Sequence, residues 1–545
     1  MPGPVGRLFG FLYERIAPNM RGLWASRQPL AWLIALAVGV AAAYAILGFR
    51  YLILALHYPW LNTFAEHNVA TLAAQQDWWL LLLVPCAGGL VVGYILHRFM
   101  PANRAEGVAD VMEARAIGGA QMSLKTGLWS ALVAALSLGT GASAGREGPA
   151  VHLGSTIATA IGSKFSLPPE KRRVILACGA AAAVSASFNA PIAGVLFAHE
   201  VILGHFAISA FVPTAIAAVG ATIITRIHLG DFPAFIIPTY EITSLWEFPA
   251  FALLGITCGL VAVGFQFAVM AADWTARSIT MPVWLRPALG GLMIGAIAIY
   301  VPEVLGVGYE ATNRALSHQL TLATLFILLF AKTLATAITL ASRFGGGVFS
   351  PSLYLGAMAG GAYGLMAGGV FPELASSEGL YAILGMGAVA AAVLGAPVST
   401  VLIAFELTGG YQMTIALMLT VSLATVIMQA VHGQSFFHWQ LSQRGLFLQA
   451  GPHKEVVRRH RVRDFMVELE GEEKEDPPEV NPDLPLLTPE DTLESALRAF
   501  DSGSYSRISV VSSADTSTII GYATQMGALR TYNQALIASH EEEHR

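Results

Sequence analysis

Charged residues are scarce in this chain. Asp, Glu, Lys and Arg make up 12% of its 545 residues, whereas they make up roughly 25% of ordinary soluble domains. The formal net charge is only -5, and no basic stripe is interleaved with aromatic residues, which argues against nucleic acid as a partner. With 55% hydrophobic residues and a mean hydropathy of +0.59, most of the chain is predicted to lie in lipid.

Cysteine is also rare. The three cysteines, Cys86, Cys178 and Cys258, each lie inside an apolar run and have no second cysteine at short spacing. This pattern predicts neither a disulfide framework nor a zinc site, and no metal or resident cofactor is expected. We interpret the cysteines as small buried side chains.

The first residues lack the short apolar core and cleavage site of a removable signal peptide. Four arginines precede the first apolar run, which begins near Pro29: Arg7, Arg15, Arg21 and Arg27. By the positive-inside rule, residues 1–28 are predicted to be a cytoplasmic N-terminal segment.

Ten apolar stretches in residues 29–447 are predicted to cross a hydrocarbon core, which takes roughly 20 helical residues. They lie near 30–55, 78–99, 124–139, 172–186, 207–226, 247–273, 286–301, 321–341, 378–394 and 411–431. At least ten crossings and an all-α polytopic membrane domain are therefore expected.

Three other apolar segments are interrupted by Gly, Pro and Ser, near 139–154, 179–204 and 345–370. Lipid-facing backbone does not tolerate such breaks, so these segments are predicted to face protein or a water-filled cavity. Broken helices at corresponding places in two halves are typical of inverted-repeat transporters with a midplane binding site. Sequence identity alone does not demonstrate the repeat.

The composition changes after Gly445. Residues 448–478 are rich in charge and are predicted to be a linker, whereas 479–545 alternate helical and strand-like runs and predict one small soluble α/β domain.

A charged pair, Arg146 and Glu147, lies inside the apolar and glycine-rich segment 139–149, just before a helix predicted to start at about Pro149. A helix N-terminus offers unpaired N–H groups and a partial positive charge, which attract anions. Either Glu147 is a structural ion-pair partner of Arg146, or it is a tethered competitor that occupies the anion's own site until it is protonated or displaced.

In the second half, three glycines and the residues Val348 to Pro351 precede another apolar run. The N–H groups of Val348 and Phe349 are candidates for a second anion-binding helix end. A glycine-rich helix contact is the alternative.

Two motifs, Gly145–Pro149 (GREGP) and Gly347–Pro351 (GVFSP), resemble the signatures of the CLC chloride channel and transporter family. The segments Ser187–Glu200 and Gly395–Tyr411 extend the resemblance, which covers roughly residues 30–447.

The resemblance implies inverted-topology repeats and a homodimer with one chloride pathway in each subunit, in a bacterial inner membrane with both termini cytoplasmic. It also implies that Glu147 is the external gating glutamate. Anion-binding residues would be Gly145, Arg146, Gly148, Gly347, Val348 and Phe349.

The chain departs from the family pattern at two pore positions. The family's Gly-Ser-Gly-Ile-Pro-like turn aligns with a segment in which Gly107 matches and Glu106 replaces the serine. The family's pore tyrosine aligns with Phe437, with Phe436 as the alternative. Without these hydroxyl donors, weaker central anion binding is predicted. Glu106 is either a first-turn acid stabilised by a helix dipole or a second carboxylate gate.

Proton-coupled family members commonly have a glutamate where this chain has Val201. Valine carries no proton, so the sequence favours a passive chloride channel. A chloride/proton antiporter that uses Glu106, His199 or Glu200 as a substitute relay is the alternative.

Other functions fit less well. His199-Glu200 does not form a metalloprotease motif, because position 203 is Leu and the next histidine is His205, so no enzyme is predicted. A cation or amino-acid transporter would need more midplane acids than Glu147 and Glu106. The tail, from a lead-in at about Val462, resembles a single CBS module, whose pairing and ligand the sequence leaves open.

Overall fold

The computed structural model describes residues 13, 15–21, 27–117, 119–231, 235, 240, 242–448, 457, 460–469, 485–503, 505–512 and 518–544. The chain forms two compact units, Met1–Gln440 and Leu441–Arg545. The division falls a few residues before the predicted boundary at 447. Most of the predicted N-terminal segment and most of the charged linker lie outside the described residues.

The regular elements in the described part of the first unit are all helical. Its α-helices are α1 Gln28–Leu61, α2 Val69–Ala73, α3 Trp78–Phe99, α4 Val108–Ala116, α5 Leu124–Gly139, α6 Glu147–Gly162, α7 Pro169–Phe188, α8 Pro191–Phe197, α9 Ile208–Leu229, α10 Phe248–Ser278, α11 Arg286–Ala298, α12 Tyr309–Leu316, α13 Leu322–Ala341, α14 Phe349–Val370, α15 Glu378–Leu394, α16 Pro397–Thr408, α17 Tyr411–Val431 and α18 Phe436–Ser442. Short 3₁₀ turns cover Glu66–Asn68, Leu245–Glu247, Val283–Leu285 and Pro302–Val304, and a π-helical turn, Ala198–Leu203, continues α8.

Seven helices in the described residues are long and apolar enough to cross a membrane. They are Gln28–Leu61, Trp78–Phe99, Ile208–Leu229, Leu245–Ser278, Leu322–Ala341, Phe349–Val370 and Tyr411–Ser442. The chain is thus a multi-pass membrane protein, with fewer full-length spans than the ten predicted. Helices α5, α11 and α15 have only 16, 13 and 17 residues, and α7 carries four consecutive charges, Glu170–Arg173, near its start.

The predicted breaks occur between helices rather than within them. The chain leaves the helix at residues 140–146, at Asn189 and Ala190, and at 342–348. After the last break α14 runs on without interruption to Val370. Helix α6 begins at Glu147, two residues before the predicted start at Pro149, because proline is tolerated in a first turn whose N–H groups have no intrahelical acceptor.

Two segments about two hundred residues apart support each other reciprocally. Residues 190–200 and 396–406 both read Ala-Pro-x-x-x-Val-Leu-x-Ala-x-Glu. The carboxylate of Glu200 accepts the N–H groups of Val398 and Ser399 at 3.0 and 2.8 Å, at the start of α16. The carboxylate of Glu406 accepts those of Ile192 and Ala193 at 2.9 and 2.7 Å, at the start of α8.

This exchange of equivalent contacts is the relation that the two halves of an inverted repeat have to each other. It supplies the evidence for the repeat that sequence identity alone does not give.

The second unit contains a small α/β fold, as predicted. Its elements are a 3₁₀ turn Val462–Asp464, β1 Val467–Glu468, β2 Leu486–Leu487, α19 Leu493–Gly503, β3 Arg507–Val511, β4 Ile519–Thr524 and α20 Gln525–His544. The strands form one sheet in the order β1-β4-β3-β2, with β2 and β3 parallel and the other pairs antiparallel. Val462 packs in the same core as Phe500 and Val510, so the predicted lead-in belongs to this fold.

Candidate anion site

The two signature loops meet at Gly145 and Gly347. Each glycine donates its backbone N–H to the carbonyl oxygen of the other, at 2.7 and 2.8 Å, which forms an isolated antiparallel bridge. The approach leaves no room for side chains, since a Cβ on Gly346 would lie 2.4 Å from the Cβ of Ala144. Gly346 also has a φ of 156°, a conformation that L residues rarely adopt.

The bridge brings two helix N-termini together. Helix α6 begins two residues after Gly145, and α14 begins two residues after Gly347. A Cβ on Gly347 would lie only 3.3 Å from the Cα of Gly148, in the first turn of α6. The first N–H groups of both helices have no intrahelical acceptor, and both dipoles present their positive ends here. The place therefore favours an anion.

The carboxylate of Glu147 already occupies part of this place. Glu147 is 1% exposed. Ser350, in the first turn of α14, donates its hydroxyl to Glu147 Oε2 at 2.6 Å, and Tyr309 donates its hydroxyl to Oε1 at 3.1 Å. Hydroxyl donors from two other helices thus hold this buried carboxylate at the converging helix starts.

Arg146 has another carboxylate as its nearest partner. It makes an ion pair with Glu66, whereas its Nε lies 3.9 Å from Glu147 Oε1. Glu66 Oε1 also lies 3.3 Å from Arg50 Nε. The guanidinium of Arg146 stacks over the ring of Tyr309 at 5.1 Å. These contacts argue against the interpretation of Glu147 as a simple ion-pair partner of Arg146.

A small cavity of about 30 Å³, which opens toward solvent, adjoins this cluster. Its lining includes Arg146, Tyr309 and the carboxylates of Glu66, Glu303 and Glu310. An ion reaching the helix ends from this cavity would pass these charges.

The structure brings seven predicted site residues together around the bridge: Gly145, Arg146, Glu147, Gly148, Gly347, Val348 and Phe349. Gly145 and Gly347, both predicted as anion-binding residues, use their N–H groups on each other in this structure. Among the predicted N–H donors, those of Arg146, Gly148, Val348 and Phe349 lie at the two helix starts.

Glu106 has a partner that the sequence did not suggest. Its Oε2 lies 2.9 Å from Nε2 of His152, which is buried on α6, although the two groups are not aligned as a hydrogen bond. His152 follows Glu147 by five residues, roughly 7.5 Å along the helix axis. The first-turn acid of α4 is Asp110, which accepts the N–H of Gly107 at 2.8 Å. Glu106 precedes that helix, which argues against the first of the two alternatives given for it.

The other relay candidates have structural partners. His199 places Nδ1 3.1 Å from the carbonyl oxygen of His205 and Nε2 3.3 Å from Thr214 Oγ1. Both carboxylate oxygens of Glu200 bind the start of α16. Val201 is buried.

Phe437 is also buried, and its ring packs against that of Phe436 with the centroids 6.0 Å apart. Neither of the two aligned positions carries a hydroxyl group.

Sequence analysis missed Glu66, Tyr309 and Ser350 as site residues. Glu66 and Tyr309 contact the motif across long sequence separations, and no local pattern marks them. Ser350 lies inside the GVFSP motif, and its hydroxyl at the second position of a helix was a usable signal for an anion contact.

The sequence profile of a family described as "voltage gated chloride channel" matches residues 88–429. A putative chloride channel protein ClcB-like from Ralstonia nicotianae is 35% identical over 386 residues, which cover 70% of this chain and 90% of the relative. The voltage-gated ClC-type chloride channel ClcB of Escherichia coli O157:H7 is 30% identical over 415 residues, covering 75% and 98%.

Solved structures support the same fold. A slow cyanobacterial Cl⁻/H⁺ antiporter superposes with a TM-score of 0.66 at 24% identity, covering 76% of this chain and 97% of the other. A eukaryotic CLC transporter superposes with a TM-score of 0.65 at 18% identity, covering 92% and 99%. Taken with the profile match over most of the membrane unit, the convergent helix ends assign this chain to the CLC family of chloride channels and transporters.

Proposed function

We propose that this protein passes chloride or similar monovalent anions across a membrane and that Glu147 gates their passage. One observation carries the proposal. The buried carboxylate of Glu147 accepts hydrogen bonds from Ser350 and Tyr309 where the starts of α6 and α14 converge. A group so held competes directly with an incoming anion.

The proposed gating follows from the charge of the Glu147 carboxylate. While Glu147 is ionised, it fills the positive helix ends and keeps an anion out. When Glu147 is protonated, or displaced by a high anion concentration, the N–H groups are free to bind the anion. Conduction therefore rises as pH falls and as anion concentration rises.

Passive conduction is the preferred form of this function. Val201 supplies no proton acceptor, and His199 and Glu200 are engaged with structural partners. The relatives from Ralstonia and E. coli are named as chloride channels. The channel proposal excludes obligatory proton movement.

Reconstituted liposomes with simultaneous chloride and proton recording test both parts of the proposal, over a range from about pH 4.5 to about pH 7.5. The channel is supported if chloride leaves without protons and Glu147→Gln keeps the flux but loses its pH response. A pH response that survives in Glu147→Gln would rule out Glu147 as the gate.

An antiporter is the second candidate, because Glu106 contacts His152, which lies on the helix that begins with Glu147. The side chains of this pair are able to accept a proton, whereas the side chain of Val201 is not. The cyanobacterial structure of similar fold is an antiporter of chloride and protons. Proton movement in fixed ratio to chloride, abolished by Glu106→Gln, would establish this candidate and refute the channel.

The proposal extends to assembly and location. We infer a homodimer in a bacterial inner membrane, with both termini cytoplasmic and the CBS-like unit pairing with that of the other subunit. Without hydroxyl ligands at Glu106 and Phe437, central chloride binding is weak, and calorimetric detection of a tight central site would contradict this. Cross-linking in membranes tests the dimer.

A further inference from the structure

Arg146 lies between two carboxylates on the cavity side of the candidate site. It contacts Glu66 closely, and its Nε is 3.9 Å from Glu147 Oε1. Glu66 is in turn held by Arg50 Nε at 3.3 Å. The three charged groups Arg50, Glu66 and Arg146 thus form a chain that ends beside Glu147.

Glu66 is almost fully removed from solvent, with 8% of its side chain exposed. Burial acts to raise the pKa of Glu66, but the positive charges of Arg146 and Arg50 more than offset this and hold the pKa below its ordinary value. The other titratable groups near it are His57 on α1, the adjacent His67, and Glu147 beyond Arg146. Glu66 therefore keeps its negative charge to a lower pH than an ordinary glutamate does.

Two forces act on the Glu147 carboxylate. Ser350 and Tyr309 hold it at the helix starts, and the guanidinium of Arg146 attracts it toward the cavity. Glu66 weakens the second force, because an arginine already paired with one carboxylate attracts another less strongly. The balance between these forces decides how often the anion site is free.

We propose that Glu66 is a positioning residue that sets this balance by keeping Arg146 from drawing Glu147 out of the anion site. The proposal rests on the gating role of Glu147. Without Glu66, Arg146 turns to Glu147 as its nearest carboxylate, and Glu147 leaves Ser350 without needing a proton.

Chloride efflux from liposomes containing the full chain tests the proposal with Glu66→Gln. We expect efflux at neutral pH to rise roughly threefold to tenfold, as for loss of a partly buried ion pair, and the pH response to flatten. A purely structural role for Glu66 would change the amount of folded protein but not the pH profile of the flux per molecule.

Glu303→Gln is the matched control. Glu303 lines the same cavity and carries the same charge, but its ion pair is with Arg314 at 3.7 Å. A rise of equal size in both variants would mean that the charge of the cavity, and not the hold on Arg146, controls the flux, and it would overturn the proposal.

The double variant Glu66→Gln/Glu147→Gln separates this inference from the proposed function. If Glu147→Gln alone leaves the pH response intact, the gate itself is refuted. If Glu147→Gln removes that response and Glu66→Gln behaves like Glu303→Gln, only the role of Glu66 is refuted. The proposal requires Glu66→Gln to have no further effect once Glu147 is replaced.

A charge-preserving variant covers the case in which Glu66→Gln does not fold. Glu66→Asp keeps the carboxylate but withdraws it from Arg146 by one methylene group. It should shift the flux in the same direction by a smaller factor, and an unchanged pH profile in folded Glu66→Asp would contradict the proposal.

Discussion

Gly145 and Gly347 each donate a backbone N–H to the other's carbonyl oxygen, at 2.7 and 2.8 Å. This pair of hydrogen bonds links two glycines, each of which lies two residues before a helix, in different halves of the chain. The positive ends of α6 and α14 consequently share one small volume, and Glu147 is the charged side chain that enters it. The account of gating depends on that convergence.

In the proposed gating, the hydroxyl of Ser350 stabilises the closed position of Glu147. Its hydrogen bond to Glu147 Oε2, at 2.6 Å, joins a charged acceptor, and such bonds contribute about 1.5 to 3 kcal/mol. We expect Ser350→Ala to raise chloride efflux at neutral pH about tenfold, as measured in liposomes.

Ser352→Ala is the control for this change. Ser352 lies on the same helix and donates its hydroxyl to the carbonyl oxygen of Phe349 at 2.6 Å, without contact to Glu147. Its replacement should leave efflux within about twofold of the wild type, because its hydroxyl bonds the backbone of its own helix and not the Glu147 carboxylate. Equal effects at both serines would contradict the role given to Ser350.

Glu200 and Glu406 are predicted to contribute to stability in equal measure. Each carboxylate accepts two N–H groups at the start of the helix that carries the other. Glu200→Gln and Glu406→Gln each keep one acceptor but lose the charge at a helix N-terminus, which costs about 1 to 2 kcal/mol. Thermal unfolding in detergent should detect two similar decreases.

The same pair of variants tests whether Glu200 relays protons. If Glu200 serves only as a helix cap, neither variant alters the ratio of protons to chloride. A change in that ratio in Glu200→Gln, without one in Glu406→Gln, would assign Glu200 to proton transport and contradict the structural role.

Lys332 is fully buried and supports the loop that leads to Tyr309. Its Nζ donates to the carbonyl oxygens of Val304 and Gly306 at 3.0 and 2.8 Å. Lys332→Met leaves both carbonyls unpaired in the interior, and we expect it to lower the free energy of unfolding by about 2 to 4 kcal/mol. Exposed Lys125 provides the matched control, since Lys125→Met should leave the unfolding temperature unchanged.

The fold class and the location of the site follow from local patterns. Glycines and a proline before an apolar run mark each helix start, and both motifs in fact precede helices whose ends converge. The number of membrane spans was predicted less accurately than the fold class. Helices α11 and α15 were predicted to cross the membrane, but they are too short to do so alone and gain their stability by packing inside the protein.

Contacts between distant residues could not be predicted from these patterns. Glu66 and Tyr309 reach Arg146 and Glu147 only through the tertiary fold, and nothing in their sequence surroundings indicates it. The same holds for the approach of Glu106 to His152. The sequence indicated the repeat only in part. Residues 190–200 and 396–406 share six identities, but the reciprocal glutamate contacts become evident only in three dimensions.

The central claim is that Glu147 and the transported anion compete for one place beside Ser350. Crystal structures of the wild type and of Glu147→Gln, both with bromide as the anion, test this claim through the anomalous signal of the bound ion. We predict a bromide peak within hydrogen-bonding distance of Ser350 Oγ in Glu147→Gln and a much weaker one in the wild type at neutral pH. Peaks of equal height in both proteins would contradict the account.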